Sequence, residues 1–405
     1  MNIMWVSIFI LFLGCSDVQP LQSQQIPLSQ KIVNSFIALH PHTIEYPGMP
    51  KSAAWDYERG VVLQGVYQVY SVTHDTSYLG YIQRQIDLFV HEDGTIRTYD
   101  LSSFNLDNVA TGRQLLALYR ATKEEKYKKA AEVLRTQLAK QPRTNEGGFW
   151  HKNIYPYQMW LDGLYMAEPF YAEYAQMFHE PKDFDDIANQ FMWADAHTRD
   201  PKTGLLYHGW DESKKMPWAN KETGQSPNFW SRAVGWYVWA LVDALDYFPV
   251  DHPKRPELVK ILQDASEALL KVRDPQSKLW YQVLDQGNRD GNYLESSGSC
   301  MFVYAFAKGA QKHYLDSLYW TIAKESFRAI LDSLVTTDAQ GHINIEHACS
   351  GAGLGGRPYR DGTFEYYVHE PQRTNDFKAV GPFILAALEL EKPFPPVGST
   401  GDMKK

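Results

Sequence analysis

The strongest constraint on the fold is a glycine that recurs within the first turns of six segments of helical periodicity. These segments contain WDYERG, NLDNVATG, WLDG, WSRAVG, ESSG and NDFKAVG, and they start near residues 54, 104, 160, 228, 295 and 375. A glycine inside a helix costs about 1 kcal/mol relative to alanine, so six in register need a common cause. Close approach of the helix ends around one axis supplies that cause.

Six further helical segments alternate with these, and apolar spacing predicts twelve helices in all. Their predicted spans are 27–40, 54–73, 76–90, 104–121, 124–140, 160–179, 182–197, 228–247, 255–271, 295–311, 313–335 and 375–391. Links after the second, fourth, sixth and tenth helices are very short, which predicts antiparallel neighbours. Links before even-numbered helices are long and rich in Gly, Pro and aromatic residues, as in 91–103, 141–159, 198–227 and 336–374.

This alternation predicts an all-α (α/α)6 barrel, in which six helical hairpins form an inner and an outer ring. Long loops gathered at one end of such a scaffold are suited to building a functional site. An open α-solenoid has the same hairpins, but it gives no reason to collect polar residues at every second helix start. The barrel is therefore the favoured fold.

Composition narrows the possible partners. Forty-eight acidic and forty basic residues give a net charge of −8, which argues against a nucleic-acid partner. Aromatic residues make up 14% of the chain, and their flat faces suit sugar rings as well as an ordinary core. Three cysteines exclude a disulfide scaffold, and we interpret Cys300 and Cys349 as buried free thiols.

No motif indicates a metal or a cofactor. The sequence has no HExxH, paired CxxC, P-loop or GxSxG, and His347 and Cys349 lack further ligands at metal spacing. Residues 351–356 match GxGxxG, but no strand–turn–helix pattern surrounds them, so a loop over the barrel is the better interpretation. We predict neither zinc nor any other cofactor.

The N-terminus has the pattern of an export signal. Residues 3–13 form an apolar run of 11, too short to span a bilayer, which ends in Leu13-Gly14-Cys15 before a polar stretch. This resembles a bacterial lipoprotein signal in which Cys15 is lipidated. We therefore predict a signal peptide at 1–14, a tether at 15–26 and a single catalytic domain at 27–395. The expected location is periplasmic or lipid-anchored at the outer membrane, with no other membrane contact.

Polar and aromatic residues cluster at the starts of the even-numbered helices. They are Trp55, Tyr57, Asp107, Asn108, Trp160, Asp162, Trp230, Arg232, Trp236, Glu295, Asn375 and Asp376. Helix N-termini favour bound anions, so an acidic protein with Arg232 in this place can still bind an acidic sugar. The alternative is that Asp107, Asn375 and Asp376 are ordinary helix caps.

Asp162 is the strongest catalytic candidate. It follows Trp160 closely, and a carboxyl beside an indole in a closed cleft is expected to have its charged form disfavoured, so that it holds a proton at neutral pH. An N-cap is the competing interpretation, but Gly163 and the long preceding loop favour catalysis. His208 either braces its loop with Asp211 or orients a water or a substrate hydroxyl.

Several motifs carry a family resemblance, in order along residues 30–390. They are Trp160-Leu161-Asp162-Gly163-Leu164-Tyr165-Met166, Leu206-Tyr207-His208-Gly209-Trp210-Asp211, Trp230-Ser231-Arg232-Ala233-Val234-Gly235-Trp236, Leu106-Asp107-Asn108 and Asn375-Asp376 with Gly381-Pro382-Phe383. They resemble the unsaturated rhamnogalacturonyl hydrolases of glycoside hydrolase family 105. The related family 88 glucuronyl hydrolases share the fold but usually carry His-Asp where this chain has Leu106-Asp107.

The resemblance implies an (α/α)6 barrel that removes a 4,5-unsaturated uronic acid from the non-reducing end of lyase-generated oligosaccharides. It implies hydration of the vinyl ether, with Asp162 as general acid/base and Asp107 as its carboxylate partner. It further implies five substrate-binding residues. These are His208, Arg232 and Trp236 on the unsaturated ring, Trp160 stacking nearby, and Tyr57 at the uronate carboxylate.

The expected substrate is an acidic oligosaccharide in which the uronate is linked to rhamnose, as in rhamnogalacturonan or ulvan. The alternatives are a family 88-like hydrolase of glycosaminoglycan fragments and a non-catalytic lipoprotein that binds oligosaccharides. In the last loop, we interpret Arg357, Arg360 and Arg373 as solvated charges rather than receptors for a sulfate or a second uronate.

Overall fold

The computed structural model of the protein describes residues 26–46 and 54–395, besides Met1. The helices are α1 (Leu28–Leu39), α2 (Tyr57–Thr73), α3 (Thr76–Asp87), α4 (Asp107–Ala110), α5 (Gly112–Thr122), α6 (Glu125–Lys140), α7 (Leu161–Met177), α8 (Asp183–Thr198), α9 (Ser231–Ala244), α10 (Arg255–Lys271), α11 (Ser296–Gln311), α12 (Leu318–Ser333), α13 (Phe364–His369) and α14 (Phe377–Glu391). The predicted signal peptide, Cys15 and the tether up to residue 25 lie outside the described residues.

Short strands lie in the connections between the helices. They are β1 (Gln158–Trp160), β2 (Gly209–Asp211), β3 (Val335–Thr337), β4 (Ile343–Ile345), β5 (Ala348–Cys349) and β6 (Gln372–Arg373). They form three antiparallel pairs, β1 with β2, β3 with β4, and β5 with β6. Within the described ranges, no helix is both long and apolar enough to cross a membrane.

Among the described residues, the inner helices form a closed ring of six positions, one of which is shared by α4 and α5. α2 packs against α4 and α5, which pack against α7, and the ring continues through α9, α11 and α14 back to α2. α3, α6, α8, α10, α12 and α1 cover this ring from outside, each packed on the inner helix that it adjoins. The contact between α14 and α2 closes the ring. The predicted (α/α)6 barrel is therefore confirmed, and the open solenoid is excluded.

The two rings differ in how much of each helix is buried. Every residue of α9 is buried, including its Asp and Arg side chains, as is typical of a helix surrounded on all sides. On the outer helix α12 the buried residues are Ile322, Ala323, Ser326, Phe327 and Ile330, which lie on one face. The inner helices therefore carry the core, and the outer helices bury one stripe each.

The recurring glycines allow the inner helices to approach each other closely. A Cβ at Gly381 of α14 would lie 2.5 Å from the carbonyl oxygen of Val61 in α2. A Cβ at Gly298 of α11 would lie 2.0 Å from the Ser231 hydroxyl oxygen at the start of α9. Real Cβ atoms essentially never come within 3.0 Å of another residue's atoms, so the predicted reason for the glycine pattern is confirmed at these crossings.

Two predicted elements need correction. The segment predicted as one helix at 104–121 is two helices, α4 and α5, which meet at Thr111. The Thr111 hydroxyl donates to the carbonyl oxygen of Asp56 at 2.5 Å, across to the start of α2. The long connection 336–374 also contains α13, which the apolar pattern did not predict. Cys300 and Cys349 are buried free thiols, as predicted.

Candidate active site

Backbone hydrogen bonds gather the starts of the inner helices at one end of the ring. At four inner helices, an amide at or beside the helix start donates to a carbonyl in the loop that precedes the next inner helix: Leu106 to His151 (3.2 Å), Leu161 to His208 (3.0 Å), Ser231 to Gln282 (3.0 Å) and Ser296 to His347 (3.3 Å). The pairing of β1 with β2 adds a further connection between the loops that precede α7 and α9. The residues predicted from the sequence therefore share one end of the barrel.

Asp162 and His208 form the first acid–base pair of this end. Asp162 lies in the first turn of α7 and His208 directly precedes β2. Asp162 Oδ2 is 3.0 Å from His208 Nε2, although the two atoms are not aligned as a hydrogen bond. The other nitrogen, His208 Nδ1, is 2.7 Å from the hydroxyl of Tyr367 on α13. The imidazole is thus fixed by Tyr367 and presents Nε2 to Asp162; it does not pair with Asp211.

Asp107 is the second carboxylate at this end of the ring, and it lies beside two basic residues of the loop 141–159. His151 Nε2 lies 3.4 Å from Asp107 Oδ1, and Lys152 Nζ binds Asp107 Oδ2. Burial lowers the pKa of His151 to about 4, so this imidazole is neutral at ordinary pH. Neither His151 nor Lys152 was among the residues predicted from the sequence. The available signal is a His-Lys dipeptide in the long loop before a candidate catalytic helix.

The protonation of Asp162 differs from the sequence prediction. Burial acts to raise the pKa of this carboxyl, but the interactions with the neighbouring His208, and to a smaller extent with His151, outweigh burial and leave the pKa below its ordinary value. The expectation that Asp162 holds a proton in the free protein is therefore wrong. It followed from the neighbouring Trp160 alone, whereas His208 is brought beside Asp162 only by the fold.

Arg232 occupies a buried position at the start of α9. Its Nε donates to the Ser297 hydroxyl at 2.8 Å, and its Nη2 donates to the Cys349 carbonyl and lies 3.5 Å from Glu295 Oε1. Its Nη1 is buried and has no hydrogen-bond partner within the described part of the chain. A buried guanidinium with one unpaired N–H donor group is suited to binding a carboxylate ligand.

The predicted aromatic residues lie in the same end of the ring. Trp160 stacks with His151 and Tyr155, at centroid distances of 4.6 and 4.7 Å. Trp236 stacks on Tyr165 at 4.5 Å, and Tyr57 meets Trp236 edge-on at 6.2 Å. Trp160 and Trp236 are both buried, so much of each indole already packs against the protein.

Three other polar residues at the helix starts have structural roles. Glu295 caps α11 by accepting hydrogen bonds from the amides of Ser297 and Gly298. Asp376 caps α14, and Asn375 Oδ1 accepts a hydrogen bond from the amide of Ile345. Of the three residues interpreted from the sequence as possible helix caps, Asp107, Asn375 and Asp376, only Asp376 is one. α4 and α7 begin without a side-chain cap, so neither Asp107 nor Asp162 serves as one.

The glycine-rich segment 351–356 belongs to a loop that packs beside the site. Leu354 is buried in a small cluster with Trp160 and Tyr155. Arg360 donates to the Tyr155 hydroxyl at 2.7 Å, and its guanidinium lies 5.8 Å from the Trp160 ring centre. The interpretation of Arg360 as a solvated loop charge is therefore wrong. Among the described residues, no group of three or more His, Cys, Asp or Glu side chains is arranged to hold a metal ion.

Comparison with known proteins agrees with this architecture. The family model for Glycosyl Hydrolase Family 88 matches residues 28–394. The chain belongs to this family. A solved structure of a glycoside hydrolase of family 105 from C. acetobutylicum is 47% identical, covers 90% of this chain and 99% of its own, and superposes with a TM-score of 0.86. The resemblance to the related families 105 and 88 is thus confirmed, and this glycoside hydrolase is an enzyme rather than a non-catalytic binder.

Two curated relatives extend the comparison. Protein Atu3128 of Agrobacterium fabrum is 39% identical over 233 residues, which are 55% of this chain and 97% of that protein. The unsaturated rhamnogalacturonyl hydrolase YesR of Bacillus subtilis is 30% identical over 287 residues, which are 69% of this chain and 76% of that enzyme. The family is therefore shown by relatives that this chain covers over most of their length.

Proposed function

We propose that this glycoside hydrolase removes a 4,5-unsaturated uronic acid from the non-reducing end of oligosaccharides, with rhamnose as the next sugar. The observation that carries the proposal is the pairing of two carboxylates with separate basic partners, Asp162 with His208 and Asp107 with Lys152, at the end of the ring that buries Arg232. The name of the relative YesR supports an unsaturated rhamnogalacturonyl substrate.

In this proposal, Arg232 Nη1 and the Tyr57 hydroxyl receive the uronate carboxylate, while Trp160 and Trp236 border the ring. The unsaturated sugar is an enol ether with a C4–C5 double bond. A proton added to C4 leaves positive charge shared by C5 and the ring oxygen, which the Asp107 carboxylate stabilises. A water then adds to C5 and loses a proton to Asp162. The resulting hemiketal opens and leaves C1 as a hemiacetal, which releases the rest of the chain.

Asp162 must acquire its proton after the substrate binds, because its pKa in the free protein lies below the ordinary value. A bound ring displaces water from the carboxyl, and loss of water favours the neutral form. His208 Nε2 lies 3.0 Å away and is the nearest group that can deliver a proton. We therefore assign the acid/base role to Asp162 and assign His208 as its proton partner, held in place by Tyr367.

The test uses lyase digests of rhamnogalacturonan, ulvan and a glycosaminoglycan, each incubated with the enzyme. Loss of the ultraviolet absorbance of the conjugated double bond reports the reaction, and mass analysis identifies the sugar left at the new end. We expect loss with a rhamnose-linked digest. Loss with the glycosaminoglycan digest alone would support the family 88-like alternative, and no loss with any digest would contradict the proposal.

A further inference from the structure

His151 and Glu168 each bury a polar atom that lacks a hydrogen-bond partner within residues 26–46 and 54–395. The atoms are His151 Nδ1 and Glu168 Oε2. Both residues line one cavity of about 10 Å³, which is close to the space that a single water needs. Gln190 also lines it, but its amide is already engaged by Phe149 and by Gly147. The two polar atoms left over are those of His151 and Glu168.

This cavity lies next to the candidate active site, on the side of His151 that faces away from Asp107. Glu168 lies six residues after Asp162 on α7 and is 1% exposed. A Cβ at Gly163, which also lines the cavity, would lie 3.2 Å from His151 Nδ1. The Nδ1 side of the imidazole therefore faces α7 and the cavity. The Nε2 side faces Asp107, at 3.4 Å.

Burial favours the uncharged form of both groups. Burial, reinforced by the nearby Asp186 and only partly opposed by Arg143, raises the pKa of Glu168 well above its usual range. Burial also lowers the pKa of His151 to about 4, in spite of the Asp107 carboxylate. A protonated carboxyl is a donor, and the unprotonated nitrogen of a neutral imidazole is an acceptor.

We propose that Glu168 is a positioning residue, which donates through one water to His151 Nδ1 and so keeps the imidazole proton on Nε2. An Nε2–H then lies on the side of Asp107, 3.4 Å from Oδ1, and favours a negative charge there. In the other tautomer, the Nε2 lone pair would face the carboxylate and repel it. Glu168 thereby acts on Asp107 without touching the substrate. The effect on turnover rests on the proposed function, whereas the tautomer of His151 does not.

The first experiment compares Glu168→Gln with Glu168→Met. Glutamine keeps a neutral N–H donor at this position, and methionine fills similar space without one. We expect turnover of an unsaturated disaccharide to stay near wild type in Glu168→Gln. In Glu168→Met it is expected to fall by up to about 10²-fold, the scale of loss from a misplaced reacting group, with the melting temperature unchanged or raised. Loss in both variants, or in neither, overturns the proposal.

The second experiment needs no substrate. Nitrogen-15 NMR of labelled histidine rings reports the tautomer, and His151→Gln identifies the His151 signals by their disappearance. We expect the Nε2–H tautomer in the wild type and in Glu168→Gln, and a shift toward Nδ1–H in Glu168→Met. An Nδ1–H tautomer in the wild type overturns the proposal even if the methionine variant fails to fold. If no digest is turned over while the tautomer follows this pattern, the proposed function fails and the role of Glu168 stands.

Discussion

Asp162 and Asp243 are both buried aspartates beside basic groups, yet the same substitution is expected to affect them in opposite ways. Asp243, near the end of α9, binds Arg113 at 2.6 Å and Lys308 at 2.7 Å. It lies eleven residues beyond Arg232, or about 16 Å along the helix axis. The partner of Asp162 is His208, and an imidazole has a neutral form that needs no buried counter-charge, whereas Arg and Lys remain charged. We therefore expect loss of the carboxyl to leave unpaired buried charge beside residue 243 but not beside residue 162.

We expect Asp162→Asn to abolish most of the activity and to leave stability nearly intact. The amide keeps the shape of the carboxyl but cannot exchange a proton, and general acid–base catalysis contributes typically about 10²–10⁴-fold. Turnover, followed by absorbance of the double bond, should fall by at least about 10²-fold, while calorimetry shows little change in melting temperature. Near-normal turnover by the folded variant would remove Asp162 from the mechanism.

Asp107→Asn is expected to lower turnover as well, because it leaves Lys152 without its carboxylate partner. It also removes the carboxylate that stabilises the positive charge formed at the double bond. If Asp107 and Asp162 act as one unit, the double variant should be no slower than the slower single variant. Steady-state rates of the three variants on one disaccharide test this. Effects that multiply in the double variant would show that the two carboxylates act independently.

Asp243→Asn is expected to keep activity in the folded fraction and to lower the free energy of unfolding by about 3–5 kcal/mol, because Arg113 and Lys308 lose a buried partner. Burial acts to raise the pKa of Asp243, but Lys308 and Arg113 outweigh it, so its pKa is below the ordinary value. The unfolded chain therefore takes up this proton first as pH falls. The stability gap to wild type should shrink below about pH 4, as urea unfolding can measure; a constant gap would contradict this origin.

At the scale of the elements, the inner helices depend on glycines that no other residue can replace without movement. Gly381 faces the backbone of Val61, whereas Gly80 on the outer helix α3 has nothing nearer to its Cβ position than the end of Arg84, at 3.5 Å. The two positions offer a matched pair, because both lie inside helices and only one lies between inner helices.

We expect Gly381→Ala to destabilise the protein by about 1–3 kcal/mol, since the added methyl must push α14 away from α2. Gly80→Ala should instead stabilise it by about 0.5–1 kcal/mol, because alanine is the better helix former. Urea unfolding of the two variants and the wild type measures both changes in stability. Equal stability of the two variants would mean that close approach is not the reason for the glycine at 381.

At the scale of the whole molecule, the first and last helices of the described chain are hydrogen-bonded to each other. Ser29 at the start of α1 donates twice to the carboxylate of Glu391 at the end of α14, at 2.8 and 2.6 Å. These hydrogen bonds link the outer helix α1 to the inner helix α14, on which it packs.

We propose that Cys15 is lipidated, and we expect Cys15→Ala to release the enzyme from membrane fractions without loss of activity. Cys300→Ala is the matched control, because Cys300 is buried inside α11 and should not alter fractionation. A chain beginning near Gln24 should also stay in the soluble fraction and remain active. Membrane retention of exported Cys15→Ala would contradict the lipid anchor.

The sequence by itself determined the helices, their alternation and the ring. These follow from local rules, since apolar spacing reports which face of a helix is buried, and a glycine at each of six helix starts reports a close crossing. The positions of Asp107, Asp162 and Arg232 at one end followed from the same register, whereas His208 was implied by the family resemblance. The break at Thr111 was not predicted; it coincides with a hydrogen bond to Asp56, the residue before α2, which no local pattern reveals.

Only the tertiary structure decided the chemistry between those residues. His151 reaches Asp107 across 44 positions of sequence, and Tyr367 reaches His208 across 159. These contacts set the charges and hydrogen-bonding groups that surround each carboxyl and each imidazole. A pKa depends on the burial and charge that all neighbouring elements bring to a group. For that reason the residue types at Asp162 and Trp160 made Asp162 a candidate acid but predicted the shift of its pKa in the wrong direction.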